Sequence, residues 1–276
     1  MAPPLHHCHV FATPWPGIHG THIDSGRHFG RHWHDTFGLG LLEHGAQSSA
    51  SGRGPVDAFA GDLITTNPGE VHDGQPLGSP SRRWRMVYLE PDAMAALAGA
   101  GRLPALTRPV IHDDRLAQSL QALFRRLDHW STQPAHDGAL ALACEEALAG
   151  TLGHLLAAYS TDAPAPPAPA PLAQVRERLA DDATHAPSLA ELAAMAGLSR
   201  FQLLRRFEKA YGLPPHAWLL QQRAERARHL IRRGLPLAEA AAAAGFADQS
   251  HMTRVFTRQF GFTPGAWRQA AGARRP

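Results

Sequence analysis

Between residues 20 and 90 the apolar positions come in short, partly alternating runs broken by Gly, Pro, Asn and Asp, as in "FGLGLLEHG", "DAFAGDLITTNPGE" and "RRWRMVYLEP". Strands at that spacing predict a small β-barrel or sandwich. From Asp113 to Tyr159 the period lengthens to that of a helix, first at Leu116, Leu120, Leu123, Phe124 and Leu127, then from Leu140 to Leu156. Two helices on or beside the barrel are expected, and an apolar face on one of them could pair two chains. Residues 161–171, "TDAPAPPAPAP", alternate Pro and Ala and read as a semi-extended linker. Beyond it the pattern is helical. The expected organisation is α+β, with a barrel domain over 1–160, the linker over 161–171 and an all-α domain over 172–276.

Composition sharpens the division. The chain has 276 residues, enough for two domains with separate cores. No apolar run is expected to reach the roughly 18 residues a membrane helix needs, and "MAPPLHHCHV" lacks the basic and apolar regions of a signal peptide. A cytoplasmic protein is expected, and the tract "HHCH" at residues 6–9, though it looks like a metal tract, is expected to be disordered so near a terminus. Two distant cysteines, Cys8 and Cys144, argue against a disulfide framework, a zinc finger and a four-thiolate repair centre. Residues 1–170 hold 11 basic and 16 acidic side chains, whereas residues 171–276 hold 16 basic and 8 acidic. That asymmetry points to a polyanionic partner for the C-terminal part, or to a solvated basic surface.

An internal repeat separates those two readings. "SLAELAAMAGLSRFQLLRRFEKAYGLPPHAW" from Ser188 matches "PLAEAAAAAGFADQSHMTRVFTRQFGFTPGAW" from Pro236, with one residue inserted in the turn of the second copy. Each copy predicts a short helix, a turn at Gly197 or Gly245, and a second helix capped by Ser199 or Asp248. This is the helix-turn-helix pattern, whose second helix enters a major groove. Leu203, Phe207, Met252, Phe256 and Phe260 would face the core, leaving Arg200, Gln202, Arg205, Gln249, Ser250, His251, Thr253 and Arg254 outward, types able to read base edges. A lone amphipathic hairpin is often only a packing unit; two copies on a basic domain are not so easily dismissed. Between them, "PPHAWLLQQRAERARHLIRRG" predicts one helix from Pro215 to Gly234.

With that repeat in view, residues 171–270 resemble the DNA-binding domain of the AraC/XylS family of bacterial transcriptional regulators, and "GFADQSHMTRVFTRQFGFTPGAWR" is close to the family signature. The resemblance places Phe201, Leu204 and Arg205 of the first recognition helix, and Gln249, Ser250, His251, Thr253 and Arg254 of the second, against bases. Leu204 stands at a position often polar in the family, where contact with a thymine methyl is the expected role. Arg200, Lys209, Arg258 and the backbone at Ser188 are candidates for phosphate contacts.

The N-terminal half is similar to the cupin-like effector domain that such regulators often carry. "RHWHD" puts His32 and His34 on one strand face, and "GDLITTNPGEVHDG" brings Gly61, Pro68, Gly69 and His72 in an order similar to the second cupin motif, with Glu70 a further candidate for contact with the effector. Gly38 and Leu39 stand where a metal-binding cupin has its glutamate, so the ligand set is incomplete unless Glu43 or Glu70 substitutes. Three readings stay open for His32, His34 and His72: polar contacts to a small effector, a three-histidine site for zinc or another divalent ion, or hydrogen-bonded structural residues. Arg83 and Arg85 share a strand face and either could pair an anionic group, or both are surface arginines.

The expected function is a sequence-specific transcriptional regulator controlled by a small-molecule effector, a polar metabolite such as an amino acid. No catalytic residue and no required cofactor is expected. A homodimer is expected, with RNA polymerase as a partner if the protein activates, and no membrane contact. The rival is a cupin metalloenzyme tethered to DNA, which needs a metal with open positions at the three histidines.

Overall fold

The computed structural model describes residues 5–51, 54–98, 103–132, 138–161, 169–181 and 186–272. Two compact units divide the chain, one of residues 1–30 and 34–164, the other of 31–33 and 165–275.

The first unit runs, in chain order, through β1 (His6–Ala12), β2 (Ile18–Ser25), β3 (Phe29–His32), β4 (Phe37–His44), β5 (Ala46–Ser51), β6 (Gly54–Phe59), β7 (Leu63–Thr66), β8 (His72–Pro76) and β9 (Arg82–Leu89). Helix α1 (Pro91–Ala98), strands β10 (Ala105–Leu106) and β11 (Val110–Ile111), helices α2 (Asp114–Thr132) and α3 (Gly138–Tyr159), and strand β12 (Ser160–Thr161) complete it. Six strands form one sheet in the order β1-β2-β9-β4-β7-β11, and four form a second in the order β3-β8-β5-β6.

Alternation along β9 explains how the sheets are used. Val87 and Leu89 join Phe37, Leu39 and Leu41 of β4 in a core closed by Leu116, Leu120, Phe124 and Leu127 of α2 and by Cys144, Leu148, Leu152 and Leu155 of α3. Trp84 and Met86, on the opposite face, pack with Ile23, Leu42 and Ala58, with Phe29 beside them, and fill the space between the two sheets. Each such fully buried Leu or Phe contributes about 1.5–3 kcal/mol. Gly40 of β4 permits this packing, because a Cβ there would lie 2.0 Å from Met86 Sδ and 2.6 Å from the Arg85 carbonyl.

Three expectations need correction here. The His-rich tract is no tail: it is strand β1, paired antiparallel with β2 from His6–Ser25 to Ala12–His19. Strand β3 ends at His32, so His34 lies beyond it. Leu140–Tyr159 of α3 does have the length and mean hydropathy, 1.3, of a membrane-crossing helix. Its Cys144, Leu148, Leu152 and Leu155 are nevertheless spent on the core beneath the sheet, as in a packed helix of a globular domain.

The second unit is helical: α4 (Ala170–Asp181), α5 (Leu189–Met195), α6 (Arg200–Tyr211), α7 (Pro215–Arg232), α8 (Leu237–Ala243), α9 (Gln249–Phe260) and α10 (Pro264–Gly272). Of the expected linker, Thr161 belongs to β12 and Ala170 and Pro171 open α4, while residues 162–168 lie outside the described residues. Pro is tolerated in that first turn because the N–H it lacks would have no helical partner. Neither α4 nor α10 was expected from the repeat.

Candidate nucleic-acid interface and effector site

The two repeats fold alike because the same local chemistry sets both turns. Gly197 and Gly245 adopt positive φ, 62° and 86°, at the ends of α5 and α8. Ser199 then caps α6 reciprocally: its hydroxyl accepts from the Gln202 N–H at 3.2 Å and its own N–H donates to Gln202 Oε1 at 3.0 Å. Asp248 caps α9 by accepting from the His251 N–H at 2.7 Å. Both recognition helices end on a left-handed glycine, Gly212 and Gly261. Between them α7 extends 18 residues, about 27 Å at ~1.5 Å per residue, of the order of the ~34 Å between successive major-groove faces.

Burial sorts the side chains of these helices. Leu203 and Phe207 of α6, and Met252, Phe256, Gln259 and Phe260 of α9, are buried. On α6, Arg200, Phe201, Gln202, Leu204, Arg205 and Lys209 are exposed. Phe201 is 67% exposed and Leu204 36%, and the Arg205 guanidinium lies 5.7 Å from the Phe201 ring centre. On α9, Gln249, Ser250, Arg254 and Arg258 are exposed, whereas His251 and Thr253 are half-buried. The His251 ring stands edge-on to Phe246 at 5.3 Å, and the Thr253 hydroxyl donates back to the Gln249 carbonyl at 2.8 Å, so its methyl is the part left for a partner. Ser188 differs from expectation. Its N–H donates to Glu191 Oε2 at 2.6 Å in a capping box, so that amide is no free donor for phosphate. The same bond holds the exposed Glu191 carboxyl below its usual pKa.

In the first unit, the imidazole nitrogens of His34 and His72 lie within 4.8 Å of each other, whereas His32 falls in the short 31–33 stretch grouped with the other unit. His34 and His72 have ring centres 5.4 Å apart, and Tyr88 stands edge-on to His34 at 5.7 Å and stacked on His19 at 5.0 Å. His72 Nδ1 lies 2.9 Å from the Glu70 carbonyl. A carbonyl only accepts, so Nδ1 carries the proton and Nε2 keeps its lone pair. Burial pushes the His72 pKa down and the Tyr88 phenol up, which keeps both neutral. Nearby, the Thr66 hydroxyl is buried without a hydrogen-bond partner among the described residues.

Glu70 enters this group through its backbone, since its carboxylate accepts from Asn67 Nδ2 at 2.8 Å. Arg85 does not enter it. It shares the helix-covered face of β9 with Val87, where Nε meets Glu43 Oε1 at 2.6 Å and Nη1 meets Asp128 Oδ2 at 3.0 Å, while its guanidinium carbon lies 4.5 Å over the Phe124 ring. Glu43 is thereby committed as well. Gly38 explains the absent glutamate, because a Cβ there would lie 2.4 Å from Thr66 Oγ1. Sequence reasoning missed His19, Tyr88 and Thr66. Alternation from Trp84 and Met86 carries Tyr88 to the inner face, whereas His19 and Thr66 emerge only from the register that sets them beside Tyr88 and Gly38.

Residues 192–270 match the model of a helix-turn-helix domain, and residues 17–144 match that of the AraC-like ligand-binding domain. The chain belongs to the AraC/XylS family. It is a sequence-specific DNA-binding regulator of transcription with an N-terminal effector-binding domain. The HTH-type transcriptional regulator YbfI of Bacillus subtilis is 29% identical over 253 residues, 89% of this chain and 86% of that protein. The transcriptional activator NphR of Rhodococcus is 39% identical over 83 residues, which span 30% of this chain and 24% of NphR. Among solved structures, that of ToxT from Vibrio cholerae with bound unsaturated fatty acid superposes with a TM-score of 0.52 at 11% identity, covering 97% of this chain and 95% of ToxT, a likeness of fold.

Proposed function

We propose that α6 and α9 read two adjacent major-groove segments of one operator. Arg205 and Arg254 are the guanine-competent side chains, Phe201, Leu204, Gln249, Ser250, His251 and Thr253 their neighbours at the bases, and Arg200, Lys209 and Arg258 the phosphate contacts. The observation that carries this reading is the duplicated cap-and-turn geometry, which turns the same positions of both helices outward on a basic unit. In vitro selection of bound DNA with the full-length chain tests it. Two blocks about one helical turn apart are expected; recovery of no motif at any salt concentration would overturn it.

The regulator is assigned to the bacterial cytoplasm, in association with the nucleoid, as a homodimer that contacts RNA polymerase if it activates, and without enzymatic activity. Its effector is a polar metabolite, with amino acids among the candidates, held by His72, His34 and His32 and by the Tyr88 and Thr66 hydroxyls. An effector that couples to DNA by ~1–3 kcal/mol would change affinity about 5- to 150-fold.

One observation supports a second reading of the same histidines: the imidazole nitrogens of His34 and His72 lie within 4.8 Å of each other, a spacing that suits a divalent ion such as zinc, with His32 as the third ligand on that reading. Among the described residues no carboxylate joins the set, which disfavours the metalloenzyme alternative. Metal analysis of protein prepared without nickel, followed by cobalt titration read in the visible spectrum, separates the readings. Stoichiometric metal lost in His72→Ala supports the ion site, and stoichiometric iron with oxygen uptake would overturn the non-enzymatic assignment.

A further inference from the structure

The two recognition helices share one arginine and differ around it. The repeat aligns Arg205 with Arg254, Phe201 with Ser250 and Leu204 with Thr253. On α6 the residues three and four positions after Phe201 are Leu204 and Arg205, so all three lie on one face. Phe201 and Leu204 are large apolar side chains left 67% and 36% exposed, and no described residue of α9 is a comparably exposed large apolar side chain. Packing therefore does not account for them: the core of this repeat is made by Leu203 and Phe207. Arg200, Arg205 and Lys209 flank the apolar pair with positive charge, which suits a partner with a polyanionic backbone and small apolar groups along its groove.

Thymine is the base that offers such a group, its C5 methyl, in the major groove. Resting on the DNA-reading assignment above, we infer that Phe201 and Leu204 make α6 a reader of thymine methyls beside a guanine held by Arg205, while α9 reads its block mainly by hydrogen bonds from Gln249, Ser250 and Arg254. The operator is then chemically asymmetric. One block loses affinity when methyl groups are removed and the other does not.

The test uses the full-length chain and the duplex recovered by selection, with the thymines of one block replaced by deoxyuridine, which keeps every hydrogen-bonding edge and removes only the methyl. The block read by α6 is first identified as the one where Arg205→Ala relaxes sequence preference. Deoxyuridine there is expected to weaken binding about fourfold per contacted methyl, from ~0.8 kcal/mol per buried carbon at ~1.4 kcal/mol per factor of ten. Replacement in the other block should leave affinity within a factor of two (a difference of ~0.4 kcal/mol). Phe201→Ser with Leu204→Thr, exposed changes that copy the pattern of α9, should abolish the sensitivity without altering thermal unfolding. Equal tolerance of deoxyuridine in both blocks by a chain that still selects its operator would overturn the inference and leave the DNA assignment standing. Failure to select any sequence would overturn both.

Discussion

Tyr159, the last residue of α3, donates its phenol to Asp113 Oδ2 at 2.9 Å, one residue before α2 begins. Asp113 Oδ1 also accepts from the Leu116 N–H at 2.9 Å, and His154 Nε2 stands 3.2 Å from Oδ2. One carboxylate thus caps α2 and fastens it to the far end of its partner helix.

These bonds, the Leu116 N–H foremost, hold the Asp113 carboxyl below its ordinary pKa. The folded chain therefore binds this proton less readily than the unfolded one. The stabilisation is fully present above the unfolded carboxylate value of ~3.9 and is lost as pH falls through the lower folded value. Acid unfolding followed by circular dichroism should shift to higher pH in Asp113→Ala, with about 1 kcal/mol lost at neutral pH from the missing cap. An unchanged acid limb would remove Asp113 from the account.

The reciprocal cap at Ser199 predicts a second outcome. Ser199→Ala should cost about 1 kcal/mol in urea unfolding and Ser199→Asp much less, because aspartate also accepts from the N–H groups of the first turn. Asp248→Ala should behave like Ser199→Ala at the other recognition helix. If both alanine variants unfold as the parent does, the caps contribute nothing to the helices they open.

Base reading and phosphate contact are separable by salt. Arg254→Ala is expected to cost on the order of 1–3 kcal/mol on the selected operator with little change on random DNA. Lys209→Ala should weaken both alike and flatten the salt dependence by about one unit. Equal losses on both DNAs for Arg254→Ala would contradict its role at a base.

At Gly40 the prediction concerns packing. A methyl group there collides with Met86 Sδ and the Arg85 backbone. Gly40→Ala should destabilise the N-terminal unit by about 1–3 kcal/mol as an overpacked site, measured by thermal unfolding. Gly30→Ala, whose Cβ would meet nothing within 4 Å, is the control and should change little.

The C-terminal unit was the more legible in sequence because its signals are local. Caps at Ser199 and Asp248 and glycines at helix ends act within a few residues of the structure they specify, and the repeat shows them twice. The N-terminal sheet was harder. Strand β1 hides its alternation behind histidines, with Cys8 on the inner side and Val10 and Phe11 carrying the apolar signal late. The four-stranded sheet includes "AQSSAS" and "HDGQP", too polar for a periodicity reading to find. The cluster around Tyr88 was only partly visible, since His19 reaches it by strand pairing, and His34 and His72 through the tertiary fold, none of them by spacing in sequence. Arg85 misled for a related reason: the sequence shows that it shares a face with Arg83, but not that Glu43 and Asp128 occupy that face.

The division of labour along α6, where Leu203 and Phe207 hold the fold and Phe201, Leu204 and Arg205 do not, leaves the specificity of the protein free to drift. On the proposed reading, exchanging those surface side chains changes what the first helix-turn-helix prefers at no cost to its core, while the second keeps its own contacts with the operator.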